Sequence, residues 1–557
     1  LVIGERICAT CGFTARRIMA QRPSKNVGKQ VSRRFSRKFQ FDMIWEGGLV
    51  GLVGGGVVTL YRLCLTHAEE FLRWLLVQAH HTPLALAGFL ALLLLSCLVV
   101  AKLVGWEPYT QGSGIPQTDA EVMGRIDMPW HRVMFAKFTE GSLLTLSGLS
   151  LGREGPSIQL GGMGGKAVSR ALRRGRGEER LLVTCGAAAG MSAAFHAPLT
   201  GTLFAIEEIH KEFTPSLIVS AMASAVASDF LVSQVLGVSP VLQLSVVRDL
   251  PHQRYLYVLA LGVLCGIVGS IHNKGMFFCS ERVYGRLAKL PFAVRLAIPF
   301  VITAIIAFAA PVLLCGGDAI VKELARPSSL PTLTLLALLL GKYLFTTVCF
   351  ASGAPGGTLF PLCVMGMLTG ALYGSVLSNV TGMQDMFIIN FMALGIAGIF
   401  SSVVRAPVTG VVLAFELTGS MSALLSVSIV SIVSYVVANV IGVDAFYEHL
   451  LVKLLGVTKI KSSVRGGVTG EKVLHVYTVG AGSQVEGKRI SEVSWPESSR
   501  IITIDREGVD VLPTGSTKLQ ALDEILVIMG ADGEDEAQAK IWALCKNSLA
   551  TTRTPRS

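Results

Sequence analysis

The stretch SLGREGPSIQLGG, Ser150 to Gly162, sets an arginine and a glutamate side by side between glycines and a proline. Arg153 and Glu154 are types that pair ions, hold charge or move protons, yet their surroundings are apolar. An ionised carboxylate at the centre of a bilayer costs about 2.5–3.5 kcal/mol on insertion scales, so its presence there points to function. Two more glycine–proline clusters share the pattern: GSGIP, Gly112 to Pro116, and GAPGGTLFP, Gly353 to Pro361. Each reads as the start of a helix that begins inside an apolar region. Such a start aims unpaired N–H groups and a partial positive charge at one spot. That makes an anion site, contributing about 0.3–1 kcal/mol per terminus and up to about 2 when partly buried. Backbone amides suit a small, weakly basic anion because they add no titrating group. None of the three clusters holds the GxxxxGK[ST] phosphate cradle. Glu207 and Glu208, in FAIEEIHKEF, supply a second acidic pair.

The elements that must position these residues are membrane helices. The 557 residues are 51% hydrophobic and 16% charged, against roughly 25% charged in soluble domains, and the mean hydropathy is +0.57. Several apolar runs approach the roughly 20 residues that span a bilayer. Leu84 to Val104 is the clearest and Met421 to Ile441 another; further runs begin near Gly47, Leu217, Tyr255, Val294 and Leu330. The expected fold class is an all-α polytopic membrane protein with short helices interrupted by glycine and proline. Interrupted helices are tolerated in a bilayer where their freed backbone groups line a cavity or meet a ligand.

The chain also repeats itself. APLTGTLFAIE, Ala197 to Glu207, returns as APVTGVVLAFE, Ala406 to Glu416, with AAG before the first and IAG before the second. Glu207 therefore has a counterpart in Glu416, whereas Glu208 falls opposite Leu417. More loosely, GREGPSIQLGG aligns with Gly353 to Cys363, which would set Gly152 against Gly353. Two repeats of this kind point to a transporter with its substrate site between them, near the bilayer midplane.

GSGIP, GREGP and GAPGG, in that order within Phe41 to Leu455, resemble the CLC family of chloride channels and chloride/proton antiporters. The resemblance implies two inverted halves of short tilted helices, and a homodimer with one pathway per subunit. It implies chloride and protons as the transported species and no metal or cofactor. Carried over by motif, the anion site would comprise the Ser113 hydroxyl, the amides of Gly155, Thr358 and Leu359, and the hydroxyl of Tyr447 in DAFYEHLLVKLL. Gly112, Gly114, Pro116, Gly356 and Gly357 would shape the loops around it, with Arg153 and Lys137 as nearby charges. Glu154 would be the gate: its carboxylate competes with chloride for the same amides, and protonation clears the place. Glu208, the asymmetric acid of the repeat, falls at the family's proton-relay position, and Glu207 is left a structural role shared with Glu416. The expected function is thus chloride/proton antiport, with a passive chloride channel of the same fold as the alternative. The intact serine of GSGIP favours chloride over fluoride.

Some positions depart from the family pattern. Gln117 stands where many relatives carry an acid. Glu140 follows Lys137 by one helical turn and is expected to pair with it on one face. His196, in AFHAP, is expected to make a local hydrogen bond.

The ends read differently. Residues 1–41 are densely basic and lack a signal-peptide core, so they are expected in the cytoplasm against anionic lipid rather than on nucleic acid. The chain opens on Leu1, and its natural start is left open between that residue, Met19 and Met43. Cys8 and Cys11 form a lone CxxC in this leader, without the second half of a zinc site. The membrane domain is expected over 42–456, a polar linker over 457–471, a small α/β domain over 472–545 and a tail over 546–557. Strands are expected at VLHVYTVG, RIITIDREG and EILVIMGADG, with a short helix near Ile490 to Val493. From Val485 onward the pattern resembles the TrkA-C (RCK-C) regulatory domain, which implies sensing of an unidentified small ligand or dimer contacts; without GxGxxG, dinucleotide binding is not expected. No HExxH metal pair or serine–histidine couple supports an enzyme. The whole is expected to be a multi-pass protein of a prokaryotic cell membrane, both termini cytoplasmic.

Overall fold

A computed structural model describes residues 37–456 and 472–546, apart from 212, 238–249, 326–329, 383, 385–386, 420–422, 481–482, 497–498, 507–508, 522 and 531–533. The basic leader, the linker and nearly all of the tail lie outside the described residues, as does Met421. The chain divides into two compact units, 1–457 and 458–557.

The first unit is built of helices that follow one order twice. Its first half runs α1 (Arg37–His81), α2 (Pro83–Trp106), α3 (Ile115–Val122), α4 (Trp130–Leu146), α5 (Glu154–Ala171), α6 (Arg176–Phe195), α7 (Pro198–Phe204) and α8 (Pro215–Leu236). Its second half runs α9 (Tyr255–Phe278), α10 (Phe292–Ala309), α11 (Asp318–Leu324), α12 (Thr332–Ala351), α13 (Leu359–Thr381), α14 (Ile388–Val404), α15 (Pro407–Thr418) and α16 (Leu424–Val440), closed by α17 (Phe446–Leu454). Seven helices among the described residues are long and apolar enough to cross a membrane. Several open on a proline in the first turn, among them α2, α7, α8 and α15, where the missing N–H has no partner to lose.

Lipid offers no hydrophobic drive for helices to associate, so close backbone packing must serve instead. A Cβ added at Gly161 of α5 would lie 2.2 Å from the Gly186 carbonyl oxygen of α6. The second half repeats the device, where a Cβ at Gly395 of α14 would lie 2.2 Å from the Gly366 carbonyl oxygen of α13.

The looser of the two sequence alignments is corrected here. Helices α5 and α13 open alike, with Arg153 and Thr358 as their N-caps. Gly152 and Gly357 pair as an antiparallel bridge, N–H to O distances being 2.6 and 2.8 Å. Reciprocal pairing joins equivalent residues of two repeats related by a two-fold axis, so Gly152 matches Gly357, not Gly353. Pro156 then falls opposite Pro361, and Ala354 to Gly356 is extra loop.

The second unit is a four-stranded antiparallel sheet in the order β1–β4–β2–β3, from β1 (Lys472–Thr478), β2 (Ser499–Arg506), β3 (Val509–Val511) and β4 (Glu524–Gly530). The short helix expected near Ile490 is a 3-10 turn, Ile490–Glu492, and α18 (Glu534–Cys545) follows the sheet. Val485, Ile504, Leu519, Ile525, Val527 and Ile541 form its core. Arg506 forks onto Asp523, Nε to Oδ1 and Nη2 to Oδ2 both 2.8 Å, and the Gln520 N–H donates to Oδ2 at 2.8 Å. Burial alone would raise the Asp523 carboxyl, but the guanidinium and this N–H outweigh it and hold it below the usual carboxylate range. A carboxyl lowered by folding stabilises the fold in its ionised form. That contribution is complete above the unfolded value of about 3.9 and is lost as pH falls through the lower folded value. Thermal melts of this unit at descending pH should therefore lose stability below about pH 4, and Asp523→Asn should flatten that dependence.

Candidate functional site

Ser113 sits in the tight loop that opens α3, whose N-cap Gly114 has φ 97°. Its side chain is buried, and Oγ has no hydrogen-bond partner. Against it lies the first turn of α5, where a Cβ on Gly155 would stand 2.5 Å from both the carbonyl oxygen and Oγ of Ser113. Only glycine lets these two backbones meet. Gly357 comes next, with the place of its Cβ 2.9 Å from the Gly155 nitrogen. The loops of GSGIP, GREGP and GAPGG thus converge. Tyr447, buried at the start of α17, interacts with the Thr358 side chain and packs against Phe446 and Phe204, ring centroids 5.2 and 6.4 Å away.

Glu154 is 0% exposed. Its Oε2 accepts the Phe360 N–H at 3.1 Å, from the first turn of α13, and lies over Gly152, where a Cβ would stand 2.4 Å away. Its Oε1 has no hydrogen-bond partner, and Arg153 Nε stands 4.0 Å off. The guanidinium of Arg153 lies instead over the Phe360 ring, 5.5 Å from its centroid. It lines a cavity of about 230 Å³ together with Tyr61, Glu69, Arg73, Asp318 and Lys322. Thr358 and Leu359 occupy the α13 start as expected, but the amide that holds the carboxylate belongs to Phe360, one residue further on. Matching GREGP to GTLFP would have brought Phe360 forward, since it falls opposite Gly155.

The two acids of FAIEEIHKEF part company. Glu207 Oε2 accepts the Thr409 N–H at 2.9 Å and its hydroxyl at 2.6 Å. Glu416 accepts the N–H groups of Leu199 and Thr200, at 2.9 and 2.7 Å. Each caps the other repeat's helix, satisfying amides that α7 and α15 leave unpaired. Glu208 is buried within a π-helical turn, Ala205–His210, that continues α7; α15 stays α-helical to Thr418. Single π turns inside α-helices recur at functional sites. The charges acting on Glu208 are Lys211, Asp119, Glu207 and Glu448, and Lys211 Nζ is itself 2.9 Å from Asp119 Oδ2. His196 bonds Asp229, Nδ1 to Oδ1 3.1 Å, as a local partner.

The expected Lys137–Glu140 ion pair is not formed. Lys137 Nζ donates to the carbonyls of Thr110 and Gly112, both at 2.7 Å. Glu140 Oε1 accepts the Thr110 hydroxyl at 3.0 Å. The loop before GSGIP frees two carbonyls in an apolar interior, and the ammonium satisfies them in preference to the acid. Lys342 does the same in the second half, reaching Leu313 O at 3.1 Å and Cys315 O at 2.7 Å. Lys342 was not singled out from the sequence; its place in α12, matching that of Lys137 in α4, is the signal. Gln117 Nε2 donates to Gln111 O at 2.6 Å. Among the described residues one acidic cluster, Glu121, Asp127 and Glu179, has the spacing of metal ligands. Lys166 Nζ lies 2.5 Å from both Glu121 Oε1 and Asp127 Oδ1, so an ammonium fills that place.

Residues 93–439 match the family model described as voltage gated chloride channel, and 474–541 match the TrkA-C domain. Curated relatives include the H(+)/Cl(-) exchange transporter ClcA of Vibrio parahaemolyticus, 28% identical over 80% of this chain and 96% of that protein. The ClcA of Salmonella typhimurium is 29% identical over 80% of this chain and 95% of its own length. A crystal structure of a slow cyanobacterial Cl-/H+ antiporter superposes with a TM-score of 0.69 at 26% identity, over 75% of this chain and 98% of that one. A CLC-type fluoride/proton antiporter shares the fold at a TM-score of 0.61 and 22% identity, over 74% of this chain and 98% of that one.

The crossed caps set a stability prediction. Glu207→Ala and Glu416→Ala each leave buried amides without an acceptor, at about 1–3 kcal/mol. Both variants should melt below the parent in detergent, and Glu208→Gln should melt close to it.

Proposed function

The chain belongs to the voltage gated chloride channel family, and we propose that it is a secondary active chloride/proton antiporter with Glu154 as its gate and Glu208 as its proton relay. The observation that carries the gate is the hydrogen bond from the Phe360 N–H to Glu154 Oε2. An amide at a broken helix start attracts a carboxylate and a chloride for the same reason, and only one of them fits there. A protonated carboxyl is the weaker acceptor, so proton uptake by Glu154 releases the amide to chloride. Chloride then rests among the Ser113 hydroxyl, the amides near Gly155, Thr358 and Leu359, and the Tyr447 hydroxyl. The unpartnered Ser113 Oγ supports this reading. Support for the relay lies in the asymmetry of Glu208: its repeat partner is Leu417, and it caps no helix.

The same reading makes the protein a homodimer in the cell membrane, each subunit with its own pathway and both termini in the cytoplasm. The TrkA-C unit would sense a small ligand there.

Purified protein in liposomes under a chloride gradient, followed with an external pH electrode, tests the proposal. Chloride flow should drive protons against their own gradient. Glu154→Gln should pass chloride and move no protons, at every pH. Glu208→Gln should keep chloride movement and lose proton movement. Normal proton pumping by Glu208→Gln would remove the relay assignment, and chloride flux without proton movement in the parent would make it a channel.

A further inference from the structure

Both halves of the membrane unit clamp the loop before a short helix with a buried lysine. Lys137 and Lys342 are each 0% exposed, and each donates to two loop carbonyls. The helices so opened, α3 and α11, have left-handed glycine N-caps, Gly114 and Gly317. One turn after the lysine the symmetry fails: Glu140 stands in α4 where Phe345 stands in α12. Glu140 is 0% exposed. Its Oε1 takes one hydrogen bond, from the Thr110 hydroxyl, and its Oε2 takes none. That hydroxyl also donates to Glu107 O at 2.8 Å, so the donor is shared. The clamp needs no acid one turn after the lysine, since Lys342 makes it with Phe345 at that place. A buried carboxyl this poorly held has another use.

Its neighbours indicate which. Lys137 Nζ is bonded to Gly112 O, one residue before Ser113. The ammonium therefore stands directly behind the loop that offers the Ser113 hydroxyl. A buried positive charge so placed strengthens anion binding in front of it. A carboxylate on the far side of Thr110 opposes that pull. In the second half Gly316 stands at the place of Ser113 and Phe345 one turn after the lysine; an acid that acts on Lys342 is Asp318, at the start of α11. An acid one turn after the lysine thus occurs only on the side that carries the serine.

We propose that Glu140 is a positioning residue for the anion site: it offsets the Lys137 charge behind Ser113 and so keeps chloride binding weak enough for turnover. This rests on the reading of Ser113 as an anion ligand given above. An anion held too tightly does not leave, and a transporter must release what it binds.

Calorimetric titration of chloride into the purified full-length protein tests it. Glu140→Gln, which keeps the shape and removes the charge, should bind chloride roughly three- to tenfold more tightly. Thr110→Val, which strips the donor that fixes the carboxylate, should tighten binding in the same direction by a smaller factor. In the double variant Lys137→Met/Glu140→Gln, affinity should return near the parent value, because the charge being offset is gone. Glu140→Asp should resemble the parent. Should Glu140→Gln fail to fold, Thr110→Val still decides the matter. Unchanged affinity in Glu140→Gln and Thr110→Val, or a double variant as tight as Glu140→Gln, overturns the proposal. Ser113→Ala separates the two ideas: if it weakens chloride binding while Glu140→Gln does nothing, the anion site stands and the role of Glu140 falls. If the parent binds no chloride, both fall.

Discussion

A backbone amide or carbonyl left without a partner in an apolar interior costs roughly 2–7 kcal/mol, depending on the reference state, and a helix that starts inside a bilayer exposes several at once. The charged residues of the membrane unit are distributed accordingly. Lys137 and Lys342 satisfy loop carbonyls, Glu207 and Glu416 satisfy helix-start amides, and Glu154 takes the Phe360 amide. Gly152 and Gly357 close the remaining gap by pairing with each other. In a chain so poor in charge, these side chains sit where the backbone is broken. The proposed anion site is what remains when one of those partners is withdrawn.

Two-fold repetition separates scaffold from function. Charges present in both halves do matching structural work: lysine clamps lysine's loop, and glutamate caps the opposite repeat's helix. Glu154, Glu208 and Glu140 each stand in one half only. Glu154 faces Leu359 and Glu140 faces Phe345 once the repeats are set in register by the Gly152–Gly357 bridge, and Glu208 faces Leu417 in the APLTG/APVTG register. A structural need common to both repeats would have kept both members. Loss of symmetry at these three acids is in keeping with their proposed roles.

Much of this was legible in the sequence because glycine and proline mark broken helices with little ambiguity. GSGIP, GREGP and GAPGGTLFP each open a helix where expected, and the APLTG/APVTG repeat separates Glu207 from Glu208. What escaped notice depended on registers that local composition does not encode. Phe360 holds the carboxylate through its backbone, and an amide is the same in every residue type. Lys342 lies in an ordinary apolar helix and acquires meaning only beside Lys137. The Lys137–Glu140 spacing suggested an ion pair, as it would on an exposed helix face, but unpaired carbonyls are stronger claimants in a dry interior than an acid with its own hydroxyl donor. In the second unit, alternating apolar residues announced the long strands, whereas the three-residue β3 is too short for any period to show.

Magnitudes bear on the proposed role of Glu154 as a switch. Placing its charge at bilayer depth costs about 2.5–3.5 kcal/mol. A hydrogen bond to a charged acceptor returns about 1.5–3 kcal/mol, and the N-terminus of α13 adds about 0.3–2. These terms are of similar size, and the Arg153 guanidinium beside the carboxylate adds to its attraction. A second strong donor would tip that balance. Arg153 would be one, yet its guanidinium lies over the Phe360 ring with Nε 4.0 Å from the carboxylate. The arginine lines the adjoining cavity and stands near the carboxylate without hydrogen-bonding it, which under the proposed gating leaves the glutamate able to detach.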